Sequence, residues 1–368
     1  MLTANETRGA DSIAGLTRKG YRGISLYSAV GGRCDVDLSD NTNLWGAPPS
    51  ALRALATVGV TELARYPGAY EPSLRKAVAD YVGVSPDMIA CGCGSDDVLD
   101  SAIRAFAEPG ETLCLPDPSS MIPVFARTNG LRPVAIPLTR WLDADVDAMI
   151  ETGAQIIYLC SPNNPTGGAF SRRVVEQIVD RAPGLVIIDQ AYVEFGGDDF
   201  TDLASSGRPV LLTRTMSKAF GLAGLRVGYG IGSPELVAEV LKARGPYKVS
   251  SLAERASIAA LESDRAWVRE HVEEAIANRS RFRAELATRG IGSLESSANF
   301  VLIPVNDCAA SSRKLESAGI CARPLQKLAG IGDAMRIAIG PWNMMQRCLD
   351  ALVGQEATVQ APTSGEGT

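Results

Sequence analysis

Histidine is nearly absent: the 368 residues contain one, His271. That excludes histidine-based triads and multi-histidine metal centres. Any catalysis has to run on lysine, tyrosine, arginine and carboxylates, or on a cofactor. His271 lies in the charged amphipathic stretch Asp264-Arg-Ala-Trp-Val-Arg-Glu-His271 and reads as a solvated helix residue. The eight cysteines show no zinc-site spacing. Cys91 and Cys93 fall in a glycine-rich turn and the others are scattered, a pattern expected of free thiols in a reducing cytoplasm rather than of a disulfide framework. No apolar run approaches the ~20 residues of a membrane span. The stretch from Met1 to Gly20 is polar and has no secretory apolar core. Basic residues are in deficit, 36 Lys and Arg against 42 Asp and Glu, for a net charge of −6. This argues against a nucleic-acid or anionic-membrane surface. Internal repeats are missing, and Gly228-Tyr-Gly-Ile-Gly232 lacks the G-x-G-x-x-G spacing of a dinucleotide site.

With 46% hydrophobic residues, the chain can bury a large core in about two to three domain-sized units. Strand-like and helix-like blocks alternate from about 50 to 260. Helices are expected at Ser50–Val58, Pro72–Tyr81, Asp96–Ala107, Ser171–Arg181 and Pro234–Ala243. Strands are expected at Thr112–Leu115, Arg132–Ile136, Ile156–Cys160, Leu185–Asp189, Val210–Arg214 and Val227–Ile231. These strands are short, nearly all-apolar runs, the mark of a sheet covered on both faces, so the fold class is doubly wound α/β. A long helix from about Asp264 to Thr288, the stretches Asn299–Ile303 and Ala334–Ile339, and a helix near Met344–Val353 read as a smaller α+β unit. The expected division is an N-terminal arm (1–49), a large domain (50–260), a small C-terminal domain (261–354) and a disordered tail (355–368).

Ligands of open α/β sheets bind beyond the carboxyl ends of the strands. Three expected strands end in polar residues of complementary chemistry. Ile156–Cys160 runs into Ser161-Pro-Asn-Asn-Pro-Thr-Gly167. Leu185–Ile188 runs into Asp189-Gln-Ala-Tyr192. Val210–Arg214 runs into Thr215-Met-Ser-Lys218. A parallel sheet brings Asn164, Asp189, Tyr192 and Lys218 to one edge. Taken singly, an aspartate after a strand is a common turn residue and Asn-Asn-Pro-Thr-Gly is a turn signal anywhere. Taken together they suit pyridoxal phosphate: a lysine to form a Schiff base and carry a proton, an aspartate for the pyridine nitrogen, and an asparagine and a tyrosine for the ring oxygen. Gly92-Cys-Gly-Ser-Asp96 at a helix start offers backbone N–H groups to a phosphate, and Ser217 and Arg226 add a hydroxyl and a cation.

On these motifs, about residues 20–353 resemble the fold-type I pyridoxal-phosphate aminotransferases of class I/II. Arg65-Tyr-Pro67, Gly94-Ser-Asp96 and Ile103-Arg-Ala-Phe106 point to the histidinol-phosphate branch. The resemblance implies a large mixed, mostly parallel sheet covered by helices, with a smaller α+β domain. It implies pyridoxal 5'-phosphate as cofactor, with Lys218, Asp189 and Tyr192 catalytic. Gly94, Ser95, Asp96, Asn164, Thr215, Ser217 and Arg226 would complete the cofactor site. Tyr66 would reach the phosphate from the second subunit of a homodimer. Tyr27, Asn43, Arg323 and Arg336 would bind substrate. For Arg323, in Cys321-Ala-Arg-Pro, a solvated loop is the competing reading, whereas Arg336 lies in an apolar strand where a cation needs an anion.

Three departures stand out. The ring-stacking aromatic of the family's Pro-Thr-Tyr-like motif is replaced by Ser120 in Pro118-Ser-Ser120, which removes about 1 kcal/mol of cofactor stacking. The usual Asn-Glu-Asn-Pro-Tyr-Gly reads Asn41-Thr-Asn-Leu-Trp-Gly46. Asp-Glu-Ala-Tyr reads Asp189-Gln-Ala-Tyr192. The favoured reading is ping-pong transfer of an amino group between histidinol phosphate and 2-oxoglutarate. The alternatives are a specialised natural-product aminotransferase for a non-phosphorylated amino acid, or a decarboxylase, oxidase or cyclase of the same fold. A regulatory protein that reuses the fold would carry a DNA-binding segment, and the N-terminus offers no helix-turn-helix.

Overall fold

The computed structural model describes residues 16–18, 21, 22, 24, 26 and 34–352. Its centre is a seven-stranded sheet built from β2 (Ile89–Cys93), β3 (Thr112–Asp117), β4 (Arg132–Pro137), β5 (Ile156–Cys160), β6 (Leu185–Asp189), β7 (Val210–Thr215) and β8 (Val227–Ile231), in the order β2-β8-β7-β6-β5-β3-β4. Only β8 runs against its neighbours. The other pairs, β3 with β4, β3 with β5, β5 with β6 and β6 with β7, are parallel.

The strand sequences explain the layers. Every residue of β5 and β6 is buried, and alternate side chains leave opposite faces. Ile156, Tyr158, Leu185, Ile187 and Leu211 join a core roofed by the helices Ser95–Phe106 and Pro234–Arg244. Ile157, Leu159, Val186, Ile188 and Leu212 join the larger core on the other face, under the helices Pro72–Val82, Arg172–Arg181 and Ser251–Ser263.

A second sheet, β9 (Phe300–Pro304), β11 (Arg323–Leu328) and β12 (Gly332–Ala338), is antiparallel in the order β11-β12-β9. The helices Arg265–Thr288, Cys308–Ser317 and Trp342–Leu352 belong to this part of the chain. In the long helix, Val268, Val272, Phe282 and Leu286 are buried, the apolar stripe its spacing predicts. The arm joins both parts. Its strand β1 (Val36–Asp37) pairs in parallel with β10 (Ile320–Cys321), Ala338 N–H donates to Leu38 O at 2.9 Å, and Asn43 reaches Ala219 O at 2.9 Å.

Four expectations need correction. Cys91 and Cys93 lie in strand β2, not in a turn; the turn begins only at Gly94. Cys34 and Cys321 form a disulfide, with Cα atoms 5.7 Å apart, because the β1–β10 pairing sets the arm alongside residues 320–321; the other six cysteines are free thiols. His271 is not simply solvated: its ring lies 4.1 Å from that of Trp267 and 6.1 Å, edge-on, from that of Trp45 in the arm. Arg323 is a strand residue, half-buried at the start of β11.

One ion pair is fully enclosed. Glu71 and Arg244 are both 0% exposed, with Nη2 of the arginine 2.8 Å from the carboxylate. Glu71 also accepts from Val249 N–H at 3.4 Å, so the pair ties the N-terminus of one covering helix to the segment after another. Removing one partner strands the other charge in a dry site, which costs about 3–5 kcal/mol. Arg244→Ala is therefore expected to lower unfolding free energy by about that amount in urea titrations. The double replacement Glu71→Met with Arg244→Met should recover most of the loss, and equal losses in both variants would contradict a charge-burial cause.

Candidate active site

The parallel register places the carboxyl ends of β5, β6 and β7 side by side. Cys160 lies opposite Asp189, and Asp189 opposite Thr213. Since side chains repeat every second residue, Tyr158, Cys160, Asp189 and Thr213 share one face of the sheet. Tyr158 OH donates to Asp189 Oδ2 at 2.9 Å. Thr213 Oγ1 donates to Oδ1 at 3.1 Å and Ala191 N–H donates to the same oxygen at 3.2 Å. Burial raises the Asp189 pKa to about 6; the Tyr158 and Thr213 hydroxyls and the Ala191 amide oppose the shift, and Asp96 adds to it. A buried carboxylate with three donors is prepared for a cation.

Lys218 follows β7. Its Nζ donates to Asp40 O at 3.0 Å and stands 5.9 Å from the centre of the Tyr192 ring. Lys218 is half-buried. Burial, then the Arg336 charge, lower its pKa from 10.5 to about 8, against the attraction of Asp40 and Asp96. Tyr192 OH accepts from Asn164 and from Asn41, each at 3.3 Å, and burial pushes this phenol up to about 12. Arg336, in β12, donates to Asn164 Oδ1 at 2.8 Å and to Ser39 O at 2.7 Å. Side chains from both sheets and the arm therefore meet at one place.

Beside the lysine lies a cluster of anion-binding groups. Gly94 (φ +81°) turns β2 into the twelve-residue helix Ser95–Phe106, whose first-turn N–H groups are those of Ser95 and Asp96. A Cβ at Gly94 would stand 2.7 Å from Arg226 Nη2, so only glycine lets that guanidinium close on the turn. Arg226 is itself left-handed (φ 52°), a strained conformation for a side chain this large. It donates to Asp96 Oδ2 at 3.1 Å and to Ser217 Oγ at 3.5 Å. Thr215 Oγ1 and Ser217 Oγ are 3.0 Å apart. A helix N-terminus, two hydroxyls and an arginine on one side, with an amine and a buried carboxylate on the other, fit a phosphorylated pyridine aldehyde.

The structure thus brings together Gly94, Ser95, Asp96, Thr215, Ser217 and Arg226, and, across the cleft, Asn164, Asp189, Tyr192, Lys218 and Arg336. Asn43 spends its amide group on Ala219 O and its carbonyl on Trp45 N–H, clamping the arm one residue from Lys218. The arm backbone passes so close to Gly221 (φ +64°) that a Cβ there would strike Gly46 O. Arg323 lies directly opposite Arg336 across the β11–β12 ladder. Tyr66 faces outward, 85% exposed, with its ring 5.2 Å from that of Tyr247. Tyr27 lies outside the described residues. Ser120 is exposed at the bend after β3. The change at Gln190 has a local account: its Oε1 accepts from the buried Arg214 at 2.8 Å, while Asp199, 2.6 Å from the same Nη2, supplies the counter-charge.

Sequence reading missed Tyr158, Thr213, Asn41 and the Asp40 carbonyl. Tyr158 left a trace, a hydroxyl inside an otherwise apolar buried strand, which needs a partner. The arm contacts left none, since Asp40 and Lys218 are 178 residues apart.

Comparison with known proteins identifies the family. The family model described as aminotransferase class I and II matches residues 34–352. The histidinol-phosphate aminotransferase of Roseiflexus castenholzii is 36% identical over 331 residues, 86% of this chain and 88% of that one. Among solved structures, the histidinol-phosphate aminotransferase of Clostridium acetobutylicum superposes with a TM-score of 0.80 at 27% identity, over 87% of this chain and 98% of that one. The enzyme of that name from Sinorhizobium meliloti, solved in complex with pyridoxal-5'-phosphate, shares the fold with a TM-score of 0.82 at 24% identity, over 92% and 96%. Motif order, sheet topology and the family match agree: the chain is a member of the class I and II aminotransferases.

Proposed function

We propose that this chain is a pyridoxal-phosphate-dependent transaminase whose amino donor is histidinol phosphate and whose acceptor is 2-oxoglutarate, working by a ping-pong cycle. The observation that carries the substrate reading is the pairing of Arg323 with Arg336. Two guanidinium groups at one register position of neighbouring strands suit a substrate that carries acidic groups. Arg336, anchored by Asn164 and Ser39, suits a carboxylate or phosphate near the reacting centre. Arg323, at the strand start, suits the more distant phosphate. The names of the similar enzymes support the same donor.

Each residue has a physical task. Pyridoxal phosphate, when bound, supplies an aldehyde for amines and a ring that withdraws electrons from the substrate Cα. Lys218 would hold the aldehyde end of the cofactor and would carry the proton at the substrate Cα. Asp189 holds the pyridine nitrogen. Tyr192, oriented by Asn164 and Asn41, donates to the ring oxygen. Gly94, Ser95, Asp96, Thr215, Ser217 and Arg226 hold the phosphate. Tyr66, exposed beside Tyr247, reaches the phosphate of a second copy in a homodimer. Residues 50–260 form the cofactor domain and 261–354 the small domain, to which the arm contributes. The cytoplasm is the proposed compartment on the strength of the six free thiols, with Cys34–Cys321 as the one bridge set against it.

Ser120 favours a second reading. An exposed serine where the family stacks a ring leaves room above the cofactor for a bulkier, non-phosphorylated amino acid. Half-reaction spectra separate the two readings. Histidinol phosphate is expected to convert the bound cofactor to its aminated form. Arg323→Ala should raise the KM for it by about tenfold to a hundredfold, the value of a charge-assisted contact, with little effect on phosphate-free histidinol. Equal weakening for both donors would refute the phosphate assignment.

The lysine makes a pH prediction. Only the neutral amine attacks an aldehyde, and burial together with Arg336 lowers the Lys218 pKa to about 8. The rate at which cofactor-free protein takes up pyridoxal phosphate should rise with pH up to about 8 and then level. Below that point it should fall about tenfold per pH unit. A stopped-flow profile still climbing towards the ordinary lysine value of 10.5 would contradict this environment.

A further inference from the structure

We propose that Tyr158 is a positioning residue for the cofactor's pyridine nitrogen: it holds the Asp189 carboxylate, together with Thr213, so that a single acceptor site on Oδ2 is left for that nitrogen. The inference rests on the pyridoxal-phosphate reading above and concerns residues that reading leaves without a task.

Hydrogen-bond capacity limits what this carboxylate can hold. An ionised carboxylate has about four acceptor sites, two on each oxygen. On Asp189, Oδ1 takes Thr213 Oγ1 at 3.1 Å and Ala191 N–H at 3.2 Å, which fills it. Oδ2 takes Tyr158 OH at 2.9 Å and has one site open. Tyr158 and Thr213 come from the strands flanking β6, so the carboxylate is gripped from both sides and cannot rotate without losing a bond. Tyr158 is 5% exposed and Thr213 0%, and neither hydroxyl has water as an alternative partner of equal value. The groups facing the carboxylate are Tyr158 and Cys160 from β5, Thr213 from β7, Asp96 from the helix after β2, and Tyr192 beyond β6. The three direct donors to the carboxylate, two hydroxyls and an amide, are neutral, which leaves its charge to be met by a cationic ligand group such as a pyridinium.

Tyr158 donates to the ionised carboxylate and favours that form. Without the hydroxyl, Asp189 takes up a proton at higher pH and the ring nitrogen loses its partner sooner on acidification. Tyr158→Phe deletes one oxygen and keeps the packed ring. The measurement is made on holoenzyme loaded with pyridoxal phosphate carrying 15N in the ring. The nitrogen resonance reports protonation, and cofactor release is followed against pH. In the variant, the resonance at neutral pH should move towards the unprotonated position. The acid midpoint of cofactor release should rise by about one pH unit and kcat should fall about tenfold, with KM little changed. Thr213→Val, acting on the other oxygen, should shift the release midpoint in the same direction and serves as the test if Tyr158→Phe does not fold. A purely packing role would lower the thermal midpoint and leave the resonance and release profile unmoved, and that result overturns the proposal. A wild-type protein that fails to bind pyridoxal phosphate would instead overturn the underlying reading.

Discussion

The register of three parallel strands is the constraint on which the site depends. β5, β6 and β7 end together, and their alignment puts Cys160, Asp189 and Thr213 in one row. A slip of one residue would turn Asp189 to the other face, into the larger apolar core, with no donor to meet it. The apolar runs that fix the register also create the dry surroundings that raise the Asp189 carboxyl to about 6 and lower the Lys218 amine to about 8. Packing and reactivity therefore have one origin. The same burial that stabilises the sheet prepares a carboxylate to receive a cation and keeps an amine close to neutral pH.

The arm is the second support. Among the described residues it contributes none to the large sheet, yet its backbone carbonyls hold the reactive groups: Asp40 O receives Lys218, and Ser39 O receives Arg336. Its side chains Asn41 and Asn43 reach Tyr192 and the lysine loop. Bonding to β10 and to Ala338 fixes the arm to the smaller sheet, so movement of that part relative to the large sheet is felt directly at the lysine and the tyrosine. Arg323 and Arg336 stand on that same smaller sheet.

The sequence carried the strand ends well. Lys218, Asp189, Asn164 and Tyr192 were readable because short apolar strands are recognisable and because a parallel sheet gathers the residues at their carboxyl ends. The alternation was recognised for the same reason, as was the amphipathic helix from residue 265. Strand β2 was hidden by Gly92 and its two cysteines, which read as a turn until β8 pairs with it. The helix Ser251–Ser263 gave no clear sign, because small residues such as Ala253, Ala256, Ser257 and Ala260 form its buried side. Tyr158 and Thr213 needed the register, and the arm contacts and the Cys34–Cys321 bridge needed the tertiary fold. Local pattern reveals elements; partners far apart in the chain are fixed only by packing.

The central claim is that Lys218, set between this carboxylate and the phosphate cluster, is the cofactor's covalent anchor. Borohydride reduction of the purified yellow holoenzyme, followed by peptide mass mapping, tests it directly. A pyridoxyl group on Lys218 and on no other lysine is the expected result. A colourless protein, or label spread over surface lysines with Lys218 unmodified, would contradict it.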